Sequence, residues 1–494
     1  MGNPREVEIK LRLDPDRAPQ LARAGFFAGV DPEKKHYHTV YFDDEKQHLL
    51  RGGFELRIRQ DGERSLQTLK TIDSVERGEW ETEAEEGGPS LEDIEAPGLA
   101  KLKKRGLNLC PQFSLDVDRR TWSVTRDGSC IEVALDDGAL EAQGRQRRVC
   151  EAELELKSGD SVALYELAQR IGEEAAATPY FVSKGARGYR LAEDAMDTPA
   201  RGLVLHLEKD VSVADAFEKI AGACLKQFSL SEEILERATD AEAVHQARVA
   251  IRRLRAAFSM FKDVVVGEDA EAARSELKWL SDLFGEAREL DVFVDSRMRQ
   301  IALQHPDVPG MQELTQELEA MRERSRRRLQ DALHSPRFRV LLLNVARCAH
   351  SGQWRQSGGG LFLDIARSEL DRRLRSVIKK RKAVRGVDAR KRHRLRIKAK
   401  KLRYMFEFMR AAAPDKGLGV ESDRLEELQD LLGELNDAIA GERLLGRVVK
   451  EAQAPAVIFA ADLVRATLTA SPKLTQKAIK THARLRRTQP FDRG

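Results

Sequence analysis

Full charges recur at every second position in several short segments of this chain, and their types suit the binding of a metal–phosphate complex. Glu6, Glu8 and Lys10 alternate with Val7, Ile9 and Leu11, and Glu151, Glu153, Glu155 and Lys157 alternate with Ala152, Leu154 and Leu156. Arg57 and Arg59 flank Ile58, and further acidic and basic groups stand at 79/81/83, at 119/120 and at Asp136. A period of two is the strand signature, so each set shares one face of a strand. An ordinary solvated sheet face carries neutral polar side chains in loose mixture rather than successive full charges. If such a sheet closes with these faces inward, its interior holds carboxylates for hard Mg2+ or Mn2+ and guanidinium or ammonium groups for phosphate oxygens.

A second pattern of candidate ligands lies in the other half of the chain. His245, Arg248, Arg252 and Arg255 fall on one face of a helix, as do His393, Arg396, Lys400 and Arg403. The two stripes are copies of one another. A shift of 148 residues (245 to 393) superimposes the histidines, Arg248 on Arg396, Leu254 on Leu402, Arg255 on Arg403, Phe258 on Phe406 and Gly285 on Gly433. Arg252-Arg253 then stands against Lys400-Lys401. Solvated helices interleave Glu with Lys to gain i,i+4 pairs, whereas residues 371–410 hold 18 basic against three acidic side chains. That density favours a polyanion as partner.

The elements that carry these residues divide the chain. Before residue 200 the alternating segments are separated by turn chemistry at Asp61-Gly62, Asp127-Gly128, Asp137-Gly138 and Ser158-Gly159-Asp160, with helical stretches near 15–25, 90–106 and 161–175. The expected class there is α+β with a mainly antiparallel sheet. Beyond it the chain reads as helix, rich in Leu, Ala, Arg, Lys and Glu. The 494 residues exceed what one core organises, and a boundary near 203 predicts domains over 1–203 and 204–494. Basic and acidic residues number 85 and 81, so the formal charge is only +4. The sum hides a segregation: residues 1–200 carry 29 basic against 39 acidic, and 201–494 carry 56 against 42. Five scattered cysteines without a CxxC pair exclude a disulfide framework and a zinc-finger site. The first residues reach Glu6 and Glu8 without an apolar run, and no apolar stretch approaches the roughly 20 residues that span a bilayer. A cytoplasmic protein with no membrane partner is expected.

The ordered motifs of the first region resemble the CYTH, or triphosphate tunnel metalloenzyme, superfamily. They are Glu6-Val7-Glu8-Ile9-Lys10, Tyr41-Phe42-Asp43, Leu56-Arg57-Ile58-Arg59, Gln67-Thr68-Leu69-Lys70, Arg77-Gly78-Glu79, Arg119-Arg120, Glu132 to Asp136, Glu153 to Lys157 and Lys184 to Arg187. The resemblance implies an eight-stranded antiparallel β-barrel tunnel holding a triphosphate and a divalent metal. It assigns Glu6, Glu8, Glu153 and Glu155 to metal, with Asp136 a further acidic residue. Glu151 shares their face, so which two of the three carboxylates of 151/153/155 bind metal stays open. Lys10, Arg57, Arg59, Lys70, Arg119 and Lys184 are assigned to the phosphates, with Arg187 beside them. The activities it implies are hydrolysis of inorganic triphosphate, hydrolysis of thiamine triphosphate, or class IV adenylate cyclase chemistry, and the first is the reading taken. A binding protein with weak or no catalysis is the alternative.

The repeated half-motifs, together with Leu283-Phe284-Gly285 and Gln429 to Asp437, resemble the CHAD domain. That family implies an all-α domain of two pseudo-symmetric four-helix bundles whose basic surface binds inorganic polyphosphate. The residues assigned are His245, Arg248, Arg252, Arg253, Arg255 and Arg288, and in the second copy His393, Arg396, Lys400, Lys401, Arg403 and Tyr404. One histidine per repeat, without a neighbouring carboxylate or Cys cluster, disfavours a metal site there. Nucleic acid is disfavoured because stacking aromatics are missing apart from Tyr404 and Phe406. The expected whole is a Mg2+- or Mn2+-dependent inorganic triphosphatase with a polyphosphate-binding module, associated with polyphosphate granules in the cytoplasm.

Overall fold

The computed structural model describes residues 7–62, 64–72, 78–84, 88–92, 94–202, 205–356, 359–380, 384, 389–413, 416–448, 454–469 and 472–485. Glu6 and Arg77 lie outside these, as does the expected boundary at 203/204. Two compact units emerge: Met1–Ala200 with Leu333–Ser351, and Arg201–Ala332 with Gly352–Gly494.

The first unit is built on an antiparallel sheet. Its strands are β1 (Glu8–Arg12), β2 (Glu33–Asp43), β3 (Phe54–Asp61), β4 (Arg64–Thr71), β5 (Glu79–Glu83), β6 (Cys110–Arg126), β7 (Ser129–Ala142), β8 (Arg145–Ser158) and β9 (Thr178–Pro179). Their order is β5-β4-β3-β2-β6-β7-β8-β1-β9. Where eight strands were expected, the sheet has nine among the described residues, with β5 and β9 at the two ends of its order. The ninth strand pairs Leu11 with Pro179 and Arg12 with Thr178. Two residues with a proline carry no alternation to read, and proline's missing N–H suits an edge.

Apolar side chains on the other face explain why the charged face is held in place. Ile9, Leu11, Leu56, Ile131, Val133, Leu135, Ala152 and Leu154 are all buried. Helix α1 (Ser161–Ala175), capped by Asp160 through Val162 N, buries Leu164, Leu167, Ala168 and Ile171 and packs on β1 and β8. The chain then returns through β9 to α2 (Lys184–Ala192), whose N-cap is Ser183. A helix from much later in the sequence, Pro336–Ser351, also belongs to this unit and packs against α1 and β9. The expected helix at 161–175 is present, whereas 15–25 and 90–106 hold only short turns of helix at Pro15–Arg17, Ala18–Leu21 and Leu99–Lys103.

The second unit repeats a three-helix pattern. The first copy is α3 (Val213–Arg237), α4 (Ala241–Met260) and α5 (Glu268–Phe293). The second is α6 (Phe362–Ile378), α7 (Ala389–Ala412) and α8 (Lys416–Leu445). In each copy the middle helix packs on both neighbours, and α4 also packs on α7. The starts of the two copies are bridged reciprocally: Val213 N donates to Gly360 O, and Phe362 N donates to Val211 O. Phe217, Phe258, Phe261 and Trp354 form an edge-to-face cluster around Phe217. Among the described residues no helix is long and apolar enough to cross a membrane.

Candidate active site and anion-binding surface

Strand register decides which charges of the sheet meet. Glu8 stands opposite Glu155, Lys10 opposite Glu153, and Arg12 opposite Glu151. Asp136 stands opposite both Glu151 and Arg119, and Glu132 opposite Glu155. The result is a row of carboxylates graded in depth, from fully buried Glu151 through Glu153 to Glu155 at 28% side-chain exposure.

Cations interlock with the deep end of that row. Lys184 Nζ lies 2.5 Å from Glu151, 2.7 Å from Asp136 and 2.9 Å from Glu153. Arg119 makes a bidentate pair with Asp136 at 2.6 Å and reaches Glu153 at 2.8 Å. Lys10 lies 2.5 Å from Glu153 and also pairs with Glu8, while Arg187 pairs with Glu151. Burial alone would raise the Glu153 pKa, but Lys10, Lys184 and Arg119 hold its carboxyl well below the usual carboxylate range. Asp136 is likewise lowered, against its burial, by Lys184 and Arg119. Asp136, Glu151 and Glu153 in turn raise the Lys184 ammonium against its own desolvation. These groups stay ionised across neutral pH.

A different environment surrounds β3. The Nε atoms of Arg57 and Arg59 are buried without a hydrogen-bond partner among the described residues. The Arg59 guanidinium lies over Tyr37 at 4.9 Å, and Arg119 approaches the same ring at 5.9 Å. Desolvation, Arg57 and Arg119 together lower the Arg59 pKa. Arg57 is hydrogen-bonded to Tyr41 and stands 3.9 Å from Glu79, and Lys70 is taken by Glu79 at 2.7 Å. Buried guanidinium donors without acceptors beside a row of carboxylates are what a bound oxyanion would complete.

The donor set also fits a hard divalent cation. Asp136, Glu151 and Glu153 each offer an oxygen within 4.8 Å of the others, and all-carboxylate donors suit Mg2+ or Mn2+. The Lys184 ammonium already sits among those three, so the more open Glu8 and Glu155, facing each other in register, are the carboxylates that would extend the set toward solvent. Glu151 and Tyr37 are the residues that sequence reading underweighted. Lys35, Tyr37, Thr39 and Tyr41 alternate along β2, and that alternation was the available signal.

Like charges meet along the helical stripes. Helix α4 starts with Asp240 accepting from Ala243 N and buries Ala247, Ala250, Ile251, Leu254 and Phe258. That packing leaves His245, Arg248, Arg252 and Arg255 along one side. Desolvation, Arg252 and Arg396 push the Arg248 pKa down to about 9, with Glu289 and Tyr404 acting the other way. No carboxylate lies within ion-pair distance of Arg248 among the described residues. His245 is lowered by burial and by Arg288, Arg252 and Lys400. Lys401 is lowered by burial, Arg255 and Arg373. Arg255 donates to Ser281 Oγ at 2.8 Å, and Arg288 to Ala241 O at 3.4 Å. His393 is exposed, and Arg396 and Lys400 are half-buried.

Three assigned residues have other work. Arg253 is buried and bonds Glu407 at 2.9 Å and Gln227 at 2.8 Å. Arg403 pairs with Glu426 at 3.0 Å and Glu407 at 3.3 Å. Tyr404 is buried, its ring beneath both arginines at 5.7 and 5.0 Å. Arg253 with Glu407 and Tyr404 ties the two copies together, whereas Arg403 pairs within the second copy.

Known proteins share both halves. The chain is 32% identical over 196 residues to an inorganic triphosphatase of Haemophilus influenzae, a match that covers 38% of this chain and 54% of that relative. The chain thus spans about half the length of the curated relative it matches. Among solved structures, the crystal structure of the CHAD domain from the plant Ricinus communis is 28% identical with a TM-score of 0.53, covering 59% of this chain and 98% of that one. The chain carries a CYTH domain over residues 4–189, followed by a CHAD domain over residues 219–446.

Proposed function

We propose that the sheet unit hydrolyses inorganic triphosphate with a divalent metal, Mg2+ or Mn2+, and that the helical unit binds inorganic polyphosphate. In this reading the nine strands curve into the family's tunnel, and the two helical copies are its paired bundles. The observation that carries it is the pair of buried Nε donors on Arg57 and Arg59, without hydrogen-bond partners among the described residues, beside the Asp136–Glu151–Glu153 row. The name of the Haemophilus relative supports the choice of inorganic triphosphate.

Hydrolysis forms a bond from water oxygen to the terminal phosphorus and breaks the bridging P–O bond, releasing orthophosphate and pyrophosphate. Arg57, Arg59 and Arg119 hold phosphate oxygens and stabilise the charge that builds on them. Lys10 and Lys184 lock Glu153 and Asp136 in their ionised form. Glu155, the most open carboxylate of its strand, orients the attacking water. A bound Mg2+ or Mn2+, held by Glu8 with Glu153 and Glu155, would neutralise phosphate charge.

Phosphate release from tripolyphosphate, thiamine triphosphate and ATP, with each metal and beside a Glu8→Gln variant, tests this reading. Tripolyphosphate is expected to be fastest. No release above the variant on any substrate leaves only the binding-protein alternative.

For the helical unit the supporting observation is the gathering of Arg252 and Arg396 around Arg248, and of Arg252 and Lys400 around His245, a cation density that suits an anion. Long-chain polyphosphate is expected to bind more tightly than single-stranded RNA at equal salt. Equal affinities would overturn polyphosphate as the specific partner.

A further inference from the structure

Each helical copy carries a glycine in the interior of a long helix, Gly285 in α5 and Gly433 in α8. Interior glycine weakens a helix, and neither residue has the positive φ that would demand one. The space above each glycine gives the reason. A Cβ at Gly285 would stand 2.4 Å from Arg248 Nη1, closer than side-chain atoms approach. A Cβ at Gly433 would stand 3.5 Å from Arg396 Nη2, an ordinary contact. The arginine of each stripe therefore crosses the neighbouring helix at its glycine, tightly in the first copy and loosely in the second.

Resting on the polyphosphate reading above, we propose that Gly285 is a positioning residue for the phosphate chain, holding the Arg248 guanidinium over α5 as the anchor of the anion site. The two copies are then unequal despite their matching motifs. Held against Gly285, the Arg248 guanidinium stays in the field of Arg252 and Arg396, where one phosphate can bridge several cations. A methyl at 285 lifts it away and relieves the crowding of like charges. The methyl also favours the helix, so stability and binding should move in opposite directions. At Gly433 a methyl fits without moving Arg396, so binding there should hardly change.

The test is polyphosphate affinity, its salt slope and the melting temperature of the full chain with Gly285→Ala, Gly433→Ala, Arg248→Ala and Gly285→Ala/Arg248→Ala. Gly285→Ala is expected to lose about tenfold in affinity and one phosphate contact in the salt slope, with an unchanged or higher melting temperature. Gly433→Ala should lose less than about twofold. Adding Gly285→Ala to Arg248→Ala should cost nothing more, because the glycine acts only through that arginine. An additive loss in the double variant, equal losses at the two glycines, or unchanged affinity in Gly285→Ala would overturn the assignment. Should Gly285→Ala fail to fold, Arg248→Ala still reads the anchor, and a loss below twofold there overturns it. If the unaltered chain binds no polyphosphate, the ligand reading fails and this role with it. Wild-type binding with an indifferent Gly285→Ala removes the positioning role alone.

Discussion

The two basic regions of this protein treat their charges in opposite ways. In the sheet, Lys184, Arg119 and Lys10 sit 2.5–2.9 Å from Asp136, Glu151 and Glu153, so most of the charge is compensated before any ligand arrives. Across the helical copies, Arg252 and Arg396 crowd Arg248, which has no ion pair among the described residues, and Arg252 and Lys400 crowd His245, while Glu407 and Glu426 pair with Arg253 and Arg403. Compensation fixes geometry in a low dielectric, which is what positioning a small multiply charged substrate requires. Crowding like charges stores repulsion that a long polyanion relieves at whatever register it binds. Total charge is thus a poor guide, and the pairing of each cation decides the chemistry.

Disabling an uncompensated cation in the otherwise compensated site should have the largest effect. Arg59→Ala removes a guanidinium whose buried Nε has no hydrogen-bond partner among the described residues, and a loss of about 10²–10³ in kcat is expected, by analogy with deleting one oxyanion donor. Phosphate-release kinetics at saturating metal check it. The melting temperature should not fall, because Arg59 sits against Arg57 and Arg119 and gives up no ion pair. A loss of stability comparable to the loss of rate would mean that the arginine is structural.

Breaking compensation itself should reverse that profile. Lys184→Met leaves three carboxylates around an apolar group, and a destabilisation of about 3–5 kcal/mol is expected from an uncompensated buried charge. Glu153 and Asp136 have folded-state pKa values lowered below their unfolded values. Their stabilising contribution is therefore present above the unfolded carboxylate pKa, near 4, and fades as pH falls through the folded values. Denaturant melts between pH 7 and 3 should show wild-type stability declining in acid, with a flatter decline in Lys184→Met.

Third in size, the two copies should part company at their last arginine. Arg403 faces Glu407 and Glu426, whereas the positions 148 residues earlier are Ser259 and Lys278 (407 to 259, 426 to 278). Arg255→Ala should lower polyphosphate affinity about three- to fivefold, by one charge-assisted contact, and Arg403→Ala by less than half of that factor. Titration at fixed salt separates them, and a larger loss for Arg403 would sink the idea that neutralised cations contribute little.

Much of this was legible in residue patterns, and the failures have physical causes. Alternation identified the charged faces of β1, β3, β7 and β8, because burying Leu11, Leu56, Val133 and Leu154 forces their neighbours to the opposite side. The 148-residue repeat likewise exposed both helical stripes. Register was not legible: nothing local says that Lys10 faces Glu153 or that Asp136 faces Glu151. Lys184 arrives from a helix N-terminus, so its place among three strand carboxylates is a long-range fact. Helical period could not separate Arg252 from Arg253, adjacent residues of which one joins the cationic cluster and the other is buried on Glu407. Glycine in a helix looked like a repeat marker until the arginine lying on it was seen.

The smallest expected effect comes from a proton. His245 faces Glu242 and Arg252 on its own helix, Arg288 on α5 and Lys400 on α7, and burial and those cations lower its pKa below the ordinary value near 6.5. It is neutral in the free protein at pH 7. A phosphate chain among those cations cancels the repulsion and favours the imidazolium, so binding takes up a proton where the bound pKa exceeds the free one. Affinity should then rise as pH falls through the bound-state pKa and level off below the free-state pKa. A gain of about three- to tenfold between pH 7.5 and 5.5 is expected. His245→Gln should flatten this profile while leaving affinity at pH 7.5 nearly unchanged, since the neutral ring contributes no charge there. His393 is exposed, and His393→Gln should leave the slope intact. A pH profile that survives in His245→Gln would assign the proton to the phosphate chain itself, and the contrast between the two histidines would disappear with it.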